Sequence, residues 1–377
     1  MTEAATRYRV ATIPGDGVGP DVVAAARRVV DAAGVAFGFT IDWSEFLVGG
    51  AAIDTYGVAI RPEDIEACGT ADAILLGAVG GPKWSDPSAP VRPEQALFAL
   101  RGGLGLYANL RPVTVHPALI ASSPLRPELL EGVDLLIVRE LTGGIYFGER
   151  REAARAPGDR SALDTLPYAE HEIRRVVELA FELAATRRGL VTSVDKANVL
   201  ATSRLWRTVA EEVAAQHPAV RINHQLVDSC AMLLVRRPAD FDVIVTENLF
   251  GDILSDEAAV LAGSLGMLPS ASLGERRTSH GTFGLYEPIH GSAPDIAGRD
   301  LANPIGTILS AAMLMRWSLQ RTDVAEAIEE AVAEAIDRGW RTADLADPAD
   351  AADGLVVVGT IGMATAVIEA LEAGVPA

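Results

Sequence analysis

Apolar residues recur along the 377-residue chain with two different periods. Short runs at Arg9 to Ile13, Ala73 to Leu76, Asp134 to Val138, Leu190 to Ser193 and Asp242 to Thr246 are dense in Val, Ile, Leu and Ala, and predict short buried strands. Longer stretches repeat their apolar positions every three or four residues, at about Asp21 to Ala33, Glu170 to Arg187, Val199 to Gln216 and Asn303 to Gln320, and predict helices. Pro20 falls where the first turn of the earliest helix accepts a proline. Alternating strands and helices predict an α/β architecture. Stretches rich in Pro and Gly at about 77–93, 151–167 and 268–304 read as irregular, and the polar segment Arg150 to Arg160 reads as an exposed arm or loop. No internal repeat is visible. The length predicts two or three domains, or one large α/β unit, at roughly 150 residues per domain.

Composition narrows the class of protein. With 49% apolar and 22% charged residues the chain can bury a sizeable core. No run approaches the roughly 18 apolar residues of a membrane span. The first residues, MTEAATRYRV, lack the apolar segment of a secretory signal. Two cysteines, Cys68 and Cys230, are too few for a disulfide scaffold or a thiolate zinc site. Together these features predict a cytoplasmic protein. The net charge of −19 repels nucleic-acid phosphates and anionic lipid, which excludes both as main partners.

The turn Gly15-Asp-Gly-Val-Gly-Pro20 invites a dinucleotide fingerprint, but the third glycine of that pattern falls on Pro20. No phosphate-binding P-loop occurs either. Locally the turn reads as a tight strand-to-helix connection, and any nucleotide binds by another route.

Four groups of residues carry candidate chemistry. In Phe250-Gly-Asp-Ile-Leu-Ser-Asp256 the two aspartates lie four apart on one helical face. They read either as N-terminal helix caps or as oxygen ligands. Asp228 closes another apolar stretch, and three carboxylates without clustered His or Cys suit Mg²⁺ or Mn²⁺ better than zinc. Arg101 and Arg111 flank a Gly-rich segment and Arg139 follows a predicted strand. Each reads as a surface ion pair or as one part of a bidentate carboxylate site. Tyr146, in Thr142-Gly-Gly-Ile-Tyr-Phe-Gly148, and Lys196, just past a strand, are potential proton carriers. The glycines allow close backbone approach around the tyrosine ring, and a lysine beside a metal can have a lowered pKa. Finally Leu285 to Gly298 reads as a polar loop able to aim N–H groups at an anion, with Asp295 placed to accept from a ribose diol and to repel a 2′-phosphate.

Several longer segments are together distinctive: LLGAVGGPKW (Leu75 to Trp84), YANLRPV (Tyr107 to Val113), Val138 to Gly148, TSVDKANVL (Thr192 to Leu200), VTENLFGDILSDEA (Val245 to Ala258) and EPIHGSAPDIAG (Glu287 to Gly298). Through these the chain resembles the isocitrate/isopropylmalate dehydrogenase family of metal-dependent β-decarboxylating dehydrogenases. The resemblance implies an open two-domain α/β sheet that is not a Rossmann domain, with the active site in the interdomain cleft. It implies domains at 1–106 plus 263–377 and at 107–262, and a homodimer with shared active sites. It implies NAD-dependent oxidative decarboxylation of an alkylmalate, (2R,3S)-3-isopropylmalate to 4-methyl-2-oxopentanoate, as in leucine biosynthesis.

Residue by residue, the resemblance gives Arg101, Arg111 and Arg139 to the substrate carboxylates, and Leu97, Asn198 and Val199 to the neighbourhood of its alkyl group. Asp252 and Asp256, with the partner's Asp228, would hold Mg²⁺ or Mn²⁺, Asp228 also meeting the substrate. Tyr146 and the partner's Lys196 would move protons. His290, Gly291, Ser292, Ala293, Asp295, Ile296 and Asn303 would hold the adenosine half of NAD, with Glu94 by the nicotinamide ribose. The chain departs from the family pattern at Gly102-Gly103, where relatives carry a basic residue, and at Gly359 to Met363, which is less polar. The first departure lies beside the alkyl pocket and leaves open another alkylmalate, D-malate, tartrate, isocitrate or homoisocitrate as substrate. A non-catalytic regulatory subunit of the same fold is the reading from a different class.

Overall fold

The computed structural model describes residues 6–86, 88–153, 160–346 and 354–374. The chain divides into two compact units, Met1–Leu106 with His116–Pro124 and Ala262–Ala377, and Tyr107–Val115 with Leu125–Leu261.

In the first unit the strands Phe39–Glu45, Thr6–Gly15, Ala73–Ala78 and Thr282–Pro288 lie side by side in that order and parallel. Pro269–Arg277 joins Thr282–Pro288 antiparallel. Ala73–Ala78 is buried at every position, as a strand covered on both faces must be. The helices Gly19–Phe37, Ile305–Trp317, Thr322–Asp337 and Thr360–Gly374 pack together in this unit, and Pro20 does sit in the first turn of the earliest. Ile305–Trp317 is buried almost all round.

The irregular reading of 268–304 is overturned by the two strands Pro269–Arg277 and Thr282–Pro288. Both are buried through most of their length, and in the first Ser270 and Ser272 are buried like the Ala271 and Leu273 they alternate with. Their prolines occupy the first and last strand positions, where a missing N–H costs least. The polar loop expected from Leu285 is corrected with them, since Leu285, Tyr286 and Glu287 are buried strand residues.

The turn after the first strand has an unexpected anchor. The buried Asp16 carboxylate accepts backbone N–H bonds from Gly50 (2.8 Å), Ala51 (2.9 Å) and Gly80 (2.8 Å). It therefore ties three segments together.

In the second unit the strand Leu106–Thr114, from Tyr107 on, runs antiparallel to Asp134–Glu140, and Val243–Thr246, Leu190–Asp195 and Arg221–Leu226 follow in parallel. Ile173, Val176, Val177, Ala180 and Phe181 on helix Glu170–Ala185 are buried beside these strands. Each of these side chains except Ala180 contributes about 1.5–3 kcal/mol relative to an exposed one. Arg150–Arg151 pairs with Leu163–Asp164 as a two-residue, exposed ladder, while 154–159 of the expected arm lie outside the described residues.

Candidate active site

The helix Asn248–Ala259 follows strand Val243–Thr246 directly, and its cap decides between the two readings of the aspartates. Glu247 caps it, its carboxylate accepting from Leu249 N (3.1 Å) and Phe250 N (2.8 Å). Asp252 and Asp256 are therefore not N-terminal caps and face cations instead.

Arg139 lies within strand Asp134–Glu140, opposite Asn109, and not beyond its end as expected. Its guanidinium is buried, donating through Nε to Asn248 Oδ1 (2.9 Å) and through Nη1 to Asp252 Oδ1. Arg111 donates through Nε to Asn109 Oδ1 (2.8 Å) and through Nη1 to Ser255 Oγ (2.6 Å) and Asp256 Oδ1 (3.2 Å), with Nη2 3.9 Å from Asp252. Both arginine side chains are nearly buried, at 5% and 11% exposed, so neither is an ordinary surface ion pair. Gly251 makes this approach possible, because a Cβ there would lie 2.6 Å from Arg139 Cγ.

Tyr146 ends the short 3₁₀ turn Gly144–Tyr146, and its hydroxyl donates to Asp252 Oδ2 (2.9 Å). Burial and this hydrogen bond push the phenol up to about 12. Burial opposes ionisation of Asp252, but Arg139, the Tyr146 hydroxyl and Arg111 outweigh it and hold the carboxyl below its ordinary range. The result is a neutral proton donor fixed against a carboxylate, with two guanidinium groups beside it. Gly143 and Gly144 bring the backbone close to a ring, as expected, but the ring is that of Tyr168. A Cβ on Gly143 would lie 2.6 Å from Tyr168 Cε1, and one on Gly144, where φ is +73°, 2.7 Å from its hydroxyl.

Lys196 and Asp228 meet each other. Lys196, in the turn after Leu190–Asp195, donates through Nζ to Asp228 Oδ1, and Asp228 lies in the first turn of helix Val227–Arg236. This hydrogen bond holds the exposed Asp228 carboxyl below its usual range. Beneath them Asp195 is buried and held by Arg207 through Nε and Nη2, both at 2.9 Å. Asn198 and Val199 stand exposed in the same turn. Among the described residues no three His, Cys, Asp or Glu side chains gather in a metal-binding group. Asp252 and Asp256 supply hard oxygen donors with no competing thiolate or imidazole, a pair that fits Mg²⁺ or Mn²⁺ as part of a ligand set.

The remaining expected residues lie in the first unit. Arg101 lies in the last turn of helix Gln95–Gly103 and donates through Nη2 to Glu287 Oε1 (2.8 Å), while its buried Nε has no partner. Leu97 on the same helix packs against the core. Glu94 precedes that helix and is exposed, next to Gly80. Beyond strand Thr282–Pro288, His290 Nδ1 meets the Gly291 carbonyl (2.9 Å) and its buried Nε2 has no partner. Burial lowers the pKa of this imidazole and keeps it neutral. Ser292 O accepts from Val18 N (2.8 Å), and Ala293 and Ile296 pack against Val18 and Val22. Gly291 and Asp295 are exposed. Asn303 is buried, its Oδ1 accepting from Ile305 N (3.0 Å) and its Nδ2 donating to Asp344 (3.1 Å). An orphaned imidazole nitrogen and an exposed carboxylate on one loop fit the polar edges of an adenosine.

Sequence reasoning missed Asp16, Glu140, Tyr168, Asn248 and Asp195. Of these, Glu140, Asp195 and Asn248 lie inside the distinctive motifs and Asp16 in the turn after the first strand, but nothing in the local pattern singled them out.

The strand order, the paired aspartates and the Tyr146 turn define a class. The chain belongs to the isocitrate/isopropylmalate dehydrogenase family, whose model matches residues 9–367. It is 58% identical over 337 residues to the 3-isopropylmalate dehydrogenase of Anaeromyxobacter dehalogenans, covering 89% of this chain and 94% of that one. It is 57% identical over 339 residues to that of Geobacillus kaustophilus, covering 90% of each. Among solved structures it is similar to the isocitrate dehydrogenase of Methylococcus capsulatus, with a TM-score of 0.82 and 33% identity over 97% of this chain and 99% of that one. The fold is the open α/β fold of this family. No helix among the described residues is long and apolar enough to cross a membrane.

Proposed function

We propose that this chain catalyses the NAD-dependent oxidative decarboxylation of (2R,3S)-3-isopropylmalate to 4-methyl-2-oxopentanoate and CO₂, the leucine-biosynthesis reaction. The observation that carries the reading is the convergence of Tyr146, Arg139 and Arg111 on Asp252, in a chain of this family. The names of the relatives supply the substrate, and Leu97 suits it. A further carboxylate against an apolar leucine, as in isocitrate or homoisocitrate, would be desolvated without a partner.

The chemistry assigns work to named residues. Substrate and NAD⁺ become keto acid, CO₂ and NADH with no net proton, so the proton leaving the C2 hydroxyl is balanced by one reaching C3. Lys196 is the base that takes the first, and Tyr146 is the acid that delivers the second. Arg111 and Arg139, with Arg101, bind the substrate carboxylates, and Asn198 and Val199 border the alkyl group. Asp252 and Asp256, with Asp228, hold Mg²⁺ or Mn²⁺. The ion, when bound, supplies a Lewis acid at the C2 oxygen. His290, Gly291, Ser292, Ala293, Asp295, Ile296, Asn303 and Glu94 hold NAD, which supplies the hydride acceptor.

The site is proposed to be shared in a cytoplasmic homodimer. Met232 is 62% exposed on Val227–Arg236 and Ile253 56% exposed on Asn248–Ala259, with Val260 47% exposed just beyond. Apolar residues on two neighbouring helices form a surface that a second copy can cover. Asp228 and Lys196 are then the pair contributed to the other chain's Asp252 and Asp256. Both cysteines are unpaired and buried, which suits a reducing compartment.

The test is a panel of 2- and 3-substituted malates, D-malate, tartrate, isocitrate and homoisocitrate, assayed by NADH formation with Mn²⁺. The reading expects the highest kcat/KM with 3-isopropylmalate. A higher value for another malate reassigns the substrate, and no turnover with any of them supports the regulatory-subunit reading.

A further inference from the structure

Beneath the Tyr146 turn lies a closed ring of hydrogen bonds that no step above uses. The Tyr168 hydroxyl donates to Glu140 Oε2 (3.0 Å) and accepts from Asn248 N (3.0 Å). Glu140 is fully buried, its carboxylate accepting from Thr142 N (2.8 Å), Thr142 Oγ1 (3.0 Å) and Gly143 N (2.8 Å). The Asn248 side chain closes the ring, its Nδ2 donating to Gly143 O (3.0 Å) while its Oδ1 accepts from Arg139 Nε (2.9 Å). One side of the ring thus fixes the backbone entering the Gly144–Tyr146 turn, and the other fixes the guanidinium of Arg139.

We propose that Tyr168 is a positioning residue of this site: its hydroxyl joins Glu140 to the start of helix Asn248–Ala259 and so holds Arg139 and Tyr146 together against Asp252.

Three features support this role over simple core packing. The hydroxyl sits between two buried carboxylates, Glu140 and Glu247, the latter 3.5 Å away. An apolar side chain would fill the space but leave the Asn248 N–H and Glu140 Oε2 without this partner, and an unsatisfied buried polar group is costly. Burial and the two carboxylates push the Tyr168 phenol far above its ordinary range, so it stays a donor at any working pH. Gly143 and Gly144 also leave no room for a Cβ beside this ring, so the turn that carries Tyr146 is shaped on Tyr168. Tyr168 itself is joined to Asp252 through Asn248 and Arg139 on one side and through Glu140, Gly143 and the Tyr146 turn on the other. It acts through them and is not a catalytic residue.

The inference rests on the proposed reaction, so its test has one arm with substrate and one without. In the first, Tyr168→Phe keeps the ring and removes only the hydroxyl. With 3-isopropylmalate, NAD⁺ and Mn²⁺, kcat/KM for the malate should fall about tenfold or more, the scale of one lost buried hydrogen bond. The KM for NAD⁺ should stay within about twofold of wild type, since the cofactor residues lie in the other unit. Glu140→Gln, which removes the charge and turns one of the two accepting oxygens of that carboxylate into an amide donor, should give the same split. In the second arm, unfolding equilibria of Tyr168→Phe, Asp252→Asn and the double variant are compared without substrate. The hydroxyl acts on Asp252 through Arg139 and the Tyr146 turn, so the double variant should depart from the product of the two single effects by about threefold or more. A folded Tyr168→Phe with wild-type kcat and KM for the malate, a parallel rise in the KM for NAD⁺, or an additive cycle each overturns the proposal. A wild-type enzyme without turnover overturns the proposed reaction alone, and the second arm still decides the role of Tyr168.

Discussion

Replacing Asp252 with asparagine removes one charge and almost no volume. Arg139, nearly buried, then loses its ionic partner, and the Tyr146 hydroxyl exchanges a carboxylate acceptor for a neutral one. Breaking a buried ion pair costs about 3–5 kcal/mol. Asp252 is 35% exposed and Arg111 and water share its charge, so about 2 kcal/mol is the appropriate scale. An unfolding entropy of about 2.1 cal/mol/K per residue over 377 residues turns this into a Tm lower by roughly 2–3 °C. The pH dependence has a definite sign. The folded pKa of Asp252 lies below its unfolded value, so its contribution is complete above the unfolded pKa, about 4, and is lost as pH falls through the folded pKa. Scanning calorimetry in EDTA should therefore show the full gap between wild type and Asp252→Asn at pH 7, narrowing below about pH 4. Equal melting at pH 7, or a gap that persists undiminished at the lowest pH where both proteins fold, would refute the reasoning.

Tyr146→Phe should lower kcat by roughly 10²–10⁴-fold with little change in melting temperature, and early melting with normal turnover would make the residue structural. Because its phenol titrates only at about 12, any loss of activity between pH 8 and 10 should persist in that variant. Gly251→Ala should destabilise the protein by about 1–3 kcal/mol and weaken malate binding, since the new methyl pushes on Arg139 Cγ; wild-type melting would contradict the packing. Exchanging subunits between Lys196→Ala and Asp252→Asn should restore roughly a quarter of wild-type activity, because half of the dimers are mixed and each has one intact site. No recovery after exchange counts against a shared site. kcat/KM should favour NAD over NADP, whose 2′-phosphate meets the Asp295 carboxylate as a like charge, and equal values would remove that assignment.

How far the sequence can be read follows from the range over which each feature acts. The Asp252 and Asp256 pair was visible because helical spacing alone puts residues four apart on one face. The choice between cap and ligand was not visible, since it depended on Glu247 taking the cap. The strands Pro269–Arg277 and Thr282–Pro288 were hidden because their terminal prolines and internal glycines imitate a loop, and because buried serines read as loop residues. Tyr168 was invisible for another reason. Its partners lie 28 residues before it and 80 after it, and no local period records such a bond. Asp16 resembled part of a nucleotide fingerprint, whereas its carboxylate fastens backbone N–H groups from two later segments.

The central claim is a matter of stoichiometry. Purified protein is incubated with (2R,3S)-3-isopropylmalate, NAD⁺ and Mn²⁺, and NADH, CO₂ and keto acid are quantified together. The account predicts equal amounts of all three, with 4-methyl-2-oxopentanoate as the keto acid. NADH formed without CO₂, or no NADH under conditions where another malate is oxidised, would contradict it.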